Sequence, residues 1–207
     1  MTTIIGIQGD GFCIVTSDTR ISEVEEDSGM ISQVVSLRES NGKIGFNGRY
    51  IFGAAGDLRA INILHHAFVP PNPAPSLKGK KLDQFITVKF IPSLRECFET
   101  HGYAMPDNSS KSHIAEHSST VLVAINGVIY VVDGDYSWIS DSNGIFAIGT
   151  GAQFALGAIF AVMPKGKISM SMARKIALKG ISVAAKFDPY TGAPYQTMTQ
   201  GQEKPTK

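Results

Sequence analysis

The stretch MTTIIGIQGDGFCIVTSDTR places Thr2 and Thr3 directly behind the initiator methionine and an Asp18-Thr19-Arg20 triplet at the end of an apolar run. Removal of Met1 would leave Thr2 holding a β-hydroxyl and a free α-amine within a few bonds of each other. A threonine hydroxyl is a poor nucleophile unaided, but an α-amine, which titrates at roughly 7.7–8.0 in short peptides, accepts its proton near neutral pH. Nucleophile and base then reside in one residue, a variant of the serine–histidine pairing. A neighbouring lysine would favour the neutral amine by charge repulsion, and a carboxylate would hold that lysine in place.

The elements that must position such a group follow from the apolar pattern. Residues 3–8 and 12–17 flank Gly9-Asp10-Gly11 and predict a β-hairpin at the chain's start. The segment after Arg20 is acidic and then weakly periodic, reaching a turn at Asn41-Gly42. Residues 43–56 predict a second hairpin around Asn47-Gly48. Leu58, Ile61, Leu64, His65 and Phe68 have helical spacing, ended by the proline-rich stretch 70–75. A second helix is predicted from Asp83 to His101, kinked at Pro92. Residues 104–118 read as a polar loop. Strands separated by Asn126-Gly127, Asp133-Gly134 and Asn143-Gly144 follow, then helices in AQFALGAIFAVM and SMSMARKIALKGISVAAKF, a short strand and a polar tail. Two hairpins, two helices, more strands and two more helices predict an α+β chain with helices segregated onto antiparallel sheets. The first of the late helices is apolar nearly all round and needs cover on both sides, from a sheet beneath and from more helix or a partner chain above.

Bulk composition narrows the function. The 207 residues are 43% hydrophobic with a formal net charge of +1, which fits one globular domain over 1–207 and gives no reason to expect a nucleic-acid partner. The dense basic patch Lys78-Gly79-Lys80-Lys81 reads as a solvated loop. Cys13 and Cys97 are too few for a disulfide framework or a zinc cluster, so a reducing, cytoplasmic setting is expected, with Cys13 buried in its apolar run. No membrane-length apolar segment and no basic leader is present, which places the natural start near residue 1 or 2. His113 and His117 have helical metal-ligand spacing, but within a polar loop, and no metal or other cofactor is expected.

The early motifs resemble the proteasome β-subunit and HslV family of N-terminal nucleophile hydrolases, whose chains begin Thr-Thr, pass a hairpin and reach a Gly/Ala/Ser-Asp-x-Arg/Gln motif. The resemblance implies Thr2 as nucleophile and Asp18 as its acidic residue. KIGFNGRYIFGAAGD has the form of the family's lysine-bearing strand, hairpin and Ala-Gly turn, which puts Lys43 at the lysine position. Gly56 then falls where a backbone N–H meets the oxyanion, a role suited to glycine because substrate approaches the main chain closely. Ala54 would line the pocket for the side chain preceding the scissile bond. Asp57 has a second reading as a helix cap. FAIGTGAQFALGAI resembles the turn entering the family's third helix, with Thr150 in a serine position that touches the terminal amine. KFDPYTGAPY resembles the Asp-x-x-Ser-Gly turn, with Asp188 and Thr191 at its polar positions. Two departures stand out. Both serines have become threonine, and the segment between Arg20 and Lys43 is longer than usual, so the loop carrying the substrate-binding candidate Ser22 must bulge.

Taken singly, these residues have ordinary readings: Asp18 and Arg20 pairing at a strand end, Lys43 solvated, Asp188 capping a turn. Taken together, the resemblance implies a four-layer αββα sandwich and a threonine-type endopeptidase. Further implications are a homo-oligomeric ring, an ATPase unfoldase partner and unfolded polypeptide as substrate. A catalytically silent ring-assembly subunit is the alternative, and amidase or acylase action on a small molecule is a third.

Overall fold

A computed structural model describes residues 2–24, 31–38, 42–103, 105–106 and 115–202. The first hairpin joins β1 (Thr3–Gln8) to β2 (Phe12–Asp18) in the register Ile4↔Ser17 to Gln8↔Cys13. Strand β12 (Ile145–Gly149) pairs with the free edge of β1, and β13 (Tyr195–Gly201) runs along β2, giving the antiparallel order β12-β1-β2-β13. The second sheet contains β5 (Ile44–Asn47), β6 (Tyr50–Ala55), β9 (Thr120–Ile125), β10 (Val128–Val132) and β11 (Trp138–Ile139), in the order β11-β10-β9-β6-β5. Its hairpins turn where expected: Asn126 and Gly127 take φ of 53° and 76°, as a two-residue turn matching the strand twist requires.

β2 and β6 are buried at every position, so their apolar residues run continuously and do not alternate. Both faces of each sheet are accordingly covered. Ile4, Val15, Phe146 and Ile148 of the first sheet share a core with Ile51, Leu122, Ala124 and Ile129 of the second. The other face of the first sheet packs on α4 (Ala152–Val162) and α5 (Met170–Phe187) through Ile5, Ile14, Ile159, Ala177 and Ile181. The other face of the second sheet packs on α1 (Leu58–His66) and on a helical run comprising α2 (Lys80–Phe85), a π turn (Ile86–Phe90) and α3 (Ile91–Thr100). Tyr50, Phe52 and Phe90 stack there at centroid distances of 5.3–6.1 Å, with Phe68 edge-on to Phe52 and Phe90. The chain is thus a mixed α/β fold with antiparallel sheets and segregated helices.

Several expectations change in detail. The second helix begins at Lys80, inside the patch read as a loop, with Lys80 and Lys81 exposed on its first turn. Its irregularity is a π turn just ahead of Pro92, which sits in the first turn of α3 inside the helical run and has no N–H to give to the turn before it. The π turn has a cause in the sequence. Leu82, Ile86, Phe90, Leu94 and Phe98 are all fully buried at a strict four-residue spacing. On an α-helix of 3.6 residues per turn such a row drifts by about 40° per step. A wide turn, closed by Ile91 N–H to the Ile86 carbonyl, takes part of that drift back.

The long segment after Arg20 contains an antiparallel ribbon of β3 (Arg20–Val24) and β4 (Ile31–Ser36). A second two-stranded ladder, β7 (Met105–Pro106) with β8 (Ala115–Glu116), interrupts the predicted polar loop. His113 and the Asn41 half of the predicted Asn41-Gly42 turn lie outside the described residues. Helix α4 buries Ala155 and Ile159 but leaves Phe154, Phe160 and Val162 exposed, with Phe154 stacked on Phe187 of α5 at 5.7 Å. Cys13 is buried, and burial pushes its thiol up to about 12. Among the described residues no helix is long and apolar enough to cross a membrane, and no His/Cys/Asp/Glu group could hold a metal ion.

Two stability predictions follow from this packing. Phe90→Ala removes the ring on which Tyr50, Phe52 and Phe68 converge and should cost about 3–5 kcal/mol in urea unfolding. His65 packs its ring against Gly45, and burial together with His66 pulls it from 6.5 down to about 4. The unfolded chain therefore binds more protons between those values, so stability rises with pH through this window and is lost as pH falls from 6.5 towards 4. The thermal midpoint should drop over that range, and His65→Gln should flatten the drop.

Candidate active site

Asp18 ends β2 and is fully buried; Lys43, just ahead of β5, is 1% exposed. The Lys43 Nζ donates to both Oδ1 and Oδ2 of Asp18 at 2.9 Å. The Thr3 N–H donates to Oδ1 at 3.0 Å and the Gly192 N–H to Oδ2 at 3.4 Å, so both carboxylate oxygens are satisfied inside the protein. Burial pulls the Lys43 ammonium below the ordinary lysine range, against the pull of Asp18 and Asp188, and the nearby Arg20 charge acts in the same direction as burial. Burial pushes Asp18 above the usual carboxylate range, partly offset by Lys43 and the backbone donors. Two residues far apart in the sequence, carried by strands of different sheets, thus meet in one dry ion pair.

Thr2 is 5% exposed and sits against the end of β12. Gly149 has φ of +94°, and a Cβ there would come within 1.9 Å of the Thr2 carbonyl oxygen and 3.5 Å of the Ala55 Cβ. Only glycine permits this approach, which seats Thr2 beside the end of β6.

A second polar group forms on the opposite side of Thr3. The Asp188 Oδ2 accepts from the Thr150 hydroxyl at 2.7 Å and the Thr191 hydroxyl at 2.5 Å, while Oδ1 accepts the Tyr190 N–H at 3.2 Å. The Thr191 and Thr3 hydroxyls lie 2.5 Å apart. Since Thr191 donates to Asp188, its oxygen accepts from Thr3. Gly151, the N-cap of α4, has no room for a Cβ: Thr3 Oγ1 would be at 2.2 Å, with Asp188 Oδ2 and Thr191 Oγ1 at 3.0 Å.

Thr2, Asp18, Lys43, Thr150, Asp188 and Thr191 are therefore gathered around the beginning of β1. Gly56 is exposed just past β6 with φ of +126°, and Asp57 behind it caps α1, accepting the Arg59 N–H at 2.8 Å. Two candidates sit differently. Ala54 is 7% exposed and belongs to the core shared with α1 and α3. Ser22 lies on β3 opposite Val34, with its hydroxyl buried and unpartnered among the described residues. Sequence reasoning missed Thr3, whose amide bonds one cluster and whose hydroxyl bonds the other. The doubled threonine was its only signal. It also missed the Gly192 amide.

No protein-family model matches the chain, and no curated protein matches it in sequence. Its fold is similar to that of several solved structures. Thiobacillus denitrificans BPH aligns over 96% of this chain and 97% of its own, with a TM-score of 0.68 at 22% identity. HslV from Trypanosoma brucei aligns over 97% and 99%, with a TM-score of 0.58 at 18% identity. Anbu, the ancestral beta-subunit from Yersinia bercovieri, aligns over 96% and 81%, with a TM-score of 0.64 at 14% identity. BPH has also been solved in complex with epoxomicin, and that structure aligns over 98% and 100%, with a TM-score of 0.66 at 20% identity. The resemblance read from the motifs therefore extends to the fold along almost the whole chain.

Breaking the buried pair from one side should be costly, because it leaves a charge without a counter-charge. Asp18→Asn is expected to destabilise the protein by about 3–5 kcal/mol in urea unfolding. Adding Lys43→Met to Asp18→Asn should recover part of that loss, since the uncompensated ammonium is gone.

Proposed function

We propose that this chain, with the fold it shares with HslV, BPH and Anbu, is a single-domain, four-layer αββα threonine-type endopeptidase whose nucleophile is Thr2, exposed by removal of Met1. The observation that carries the reading is the buried Asp18–Lys43 pair, bonded through the Thr3 amide to the residue next to Thr2. An ion pair this dry is costly to build for stability alone, and here the Thr3 N–H ties it to the peptide that follows Thr2.

The chemistry runs as acyl transfer. The Thr2 Oγ attacks the peptide carbonyl while its own α-amine takes the hydroxyl proton. Lys43, held by Asp18, keeps the amine neutral by charge repulsion, and Asp188 with Thr150 and Thr191 fixes the position of the amine. The oxyanion forms against the Gly56 N–H. Collapse breaks the C–N bond, and the amine's proton passes to the leaving nitrogen. Water, deprotonated by the same amine, then cleaves the ester and restores the Thr2 hydroxyl. Ala54 and Ser22 are assigned to substrate binding, with Ala54 acting from beneath the pocket. The near-zero net charge fits unfolded polypeptide better than a polyanion as substrate. The reading extends to a cytoplasmic homo-oligomeric ring, served by an ATPase unfoldase and needing no metal or cofactor. The apolar face of α4, with Phe154, Phe160 and Val162 exposed, supports assembly.

Intact-mass analysis should find a chain starting at Thr2, and incubation with epoxomicin should add one inhibitor mass to it. Thr2→Ala should take up none. A retained Met1, or equal labelling of the wild type and Thr2→Ala, would overturn the assignment and favour a catalytically silent subunit.

A further inference from the structure

The Gly56 N–H belongs to the most flexible residue type, in a backbone region other residues rarely adopt, and lies exposed at a strand end. A donor that stabilises an oxyanion must nonetheless be aimed before the reaction begins. Something outside residues 54–57 has to hold it, and the segment 118–120 touches this turn at three successive positions. Ala55 pairs with Thr120 in the β6–β9 ladder. Gly56 lies so close to Ser118 and Ser119 that a Cβ would stand 2.5 Å from the Ser118 carbonyl oxygen and 2.7 Å from the Ser119 Oγ. The Asp57 N–H donates to the Ser119 Oγ at 3.0 Å.

Ser119 is itself held from two sides. The Tyr103 hydroxyl lies 2.6 Å from its Oγ, so the oxygen can accept from both Asp57 and Tyr103. The Ser119 N–H donates to the His117 Nδ1 at 3.3 Å. The His117 ring is buried edge-on to Phe98 and Tyr136, at 5.0 and 4.9 Å, and lies over Tyr103 at 6.1 Å. Ser119 is 3% exposed.

We propose that Ser119, braced by Tyr103 and His117, is a positioning residue that clamps the Gly56–Asp57 peptide through the Asp57 N–H and so aims the Gly56 N–H at the oxyanion. The peptide on one side of the Gly56 Cα is held by the Thr120 ladder and the peptide on the other by Ser119. Neither of glycine's two soft dihedrals can then turn freely. The proposal rests on the peptidase reading, because it presumes that Gly56 is the oxyanion donor.

The test is inactivation kinetics with epoxomicin, resolved into the reversible binding constant KI and the bond-forming rate kinact, for the full-length chain. Ser119→Ala should lower kinact by about tenfold, a fraction of the loss expected when an oxyanion donor is removed outright, and leave KI unchanged. Tyr103→Phe keeps the ring packing on Phe98 and His117, loses only the hydroxyl, and should lower kinact less. It also decides the matter if Ser119→Ala does not fold. A merely structural role predicts a kinact that falls and a KI that rises together with a drop in the thermal midpoint, and that result would overturn the proposal. So would an unchanged kinact in both variants. A wild type that takes up no inhibitor would end the peptidase reading and this proposal together, whereas a labelled wild type with unaffected variants ends only this one.

Discussion

The Asp18–Lys43 ion pair is the constraint around which the rest is arranged. Two charges removed from water are unfavourable unless every lone pair and proton is matched. The match is built from four separate places in the chain: the end of β2, the approach to β5, the first amide of β1 and the Gly192 turn. None of these can shift without stranding a buried charge. The two sheets packed through Ile4, Ile51 and Leu122 supply the rigidity, and the pair sets where their ends must meet.

Thr3 is the hinge between this pair and the second polar group. Its amide serves Asp18 and its hydroxyl serves Thr191, and through Thr191 it reaches Asp188 and Thr150. Two acidic centres are thereby locked to one residue, the immediate neighbour of Thr2. The threonines at 150 and 191 suit this design. β-Branching restricts χ1, so a threonine hydroxyl aimed at Asp188 loses less freedom than a serine hydroxyl would.

Much of this was legible in the sequence, for physical reasons. Strands buried on both faces leave continuous apolar runs, as in Phe12–Asp18 and Tyr50–Ala55, and turns that need left-handed backbone leave Asn-Gly at 126–127. Asp18, Lys43, Thr150, Asp188 and Thr191 sit at strand and helix ends next to such signals. The β3–β4 ribbon was not legible, because Gln33, Val34 and Val35 are all exposed and a strand without a buried face shows no alternation. The start of α2 was masked by Lys80 and Lys81, which look like loop residues and are the solvated first turn. Thr3 and Ser119 were hidden for another reason. A hydroxyl carries no pattern of its own, and the Thr3 partner lies 188 residues away, while Ser119 falls just past the polar stretch 104–118 and immediately ahead of β9.

The π turn at Ile86–Phe90 makes the length of this helical run as consequential as its composition. Inserting a further residue there, with no second wide turn to absorb it, would rotate everything downstream by about 100° relative to Leu82. Leu94 and Phe98 would swing towards solvent, and Phe98 would leave the His117 ring it now abuts at 5.0 Å. An indel on an outer helix, which looks remote from any chemistry, would thus be felt at Gly56 through the phase of a single helix.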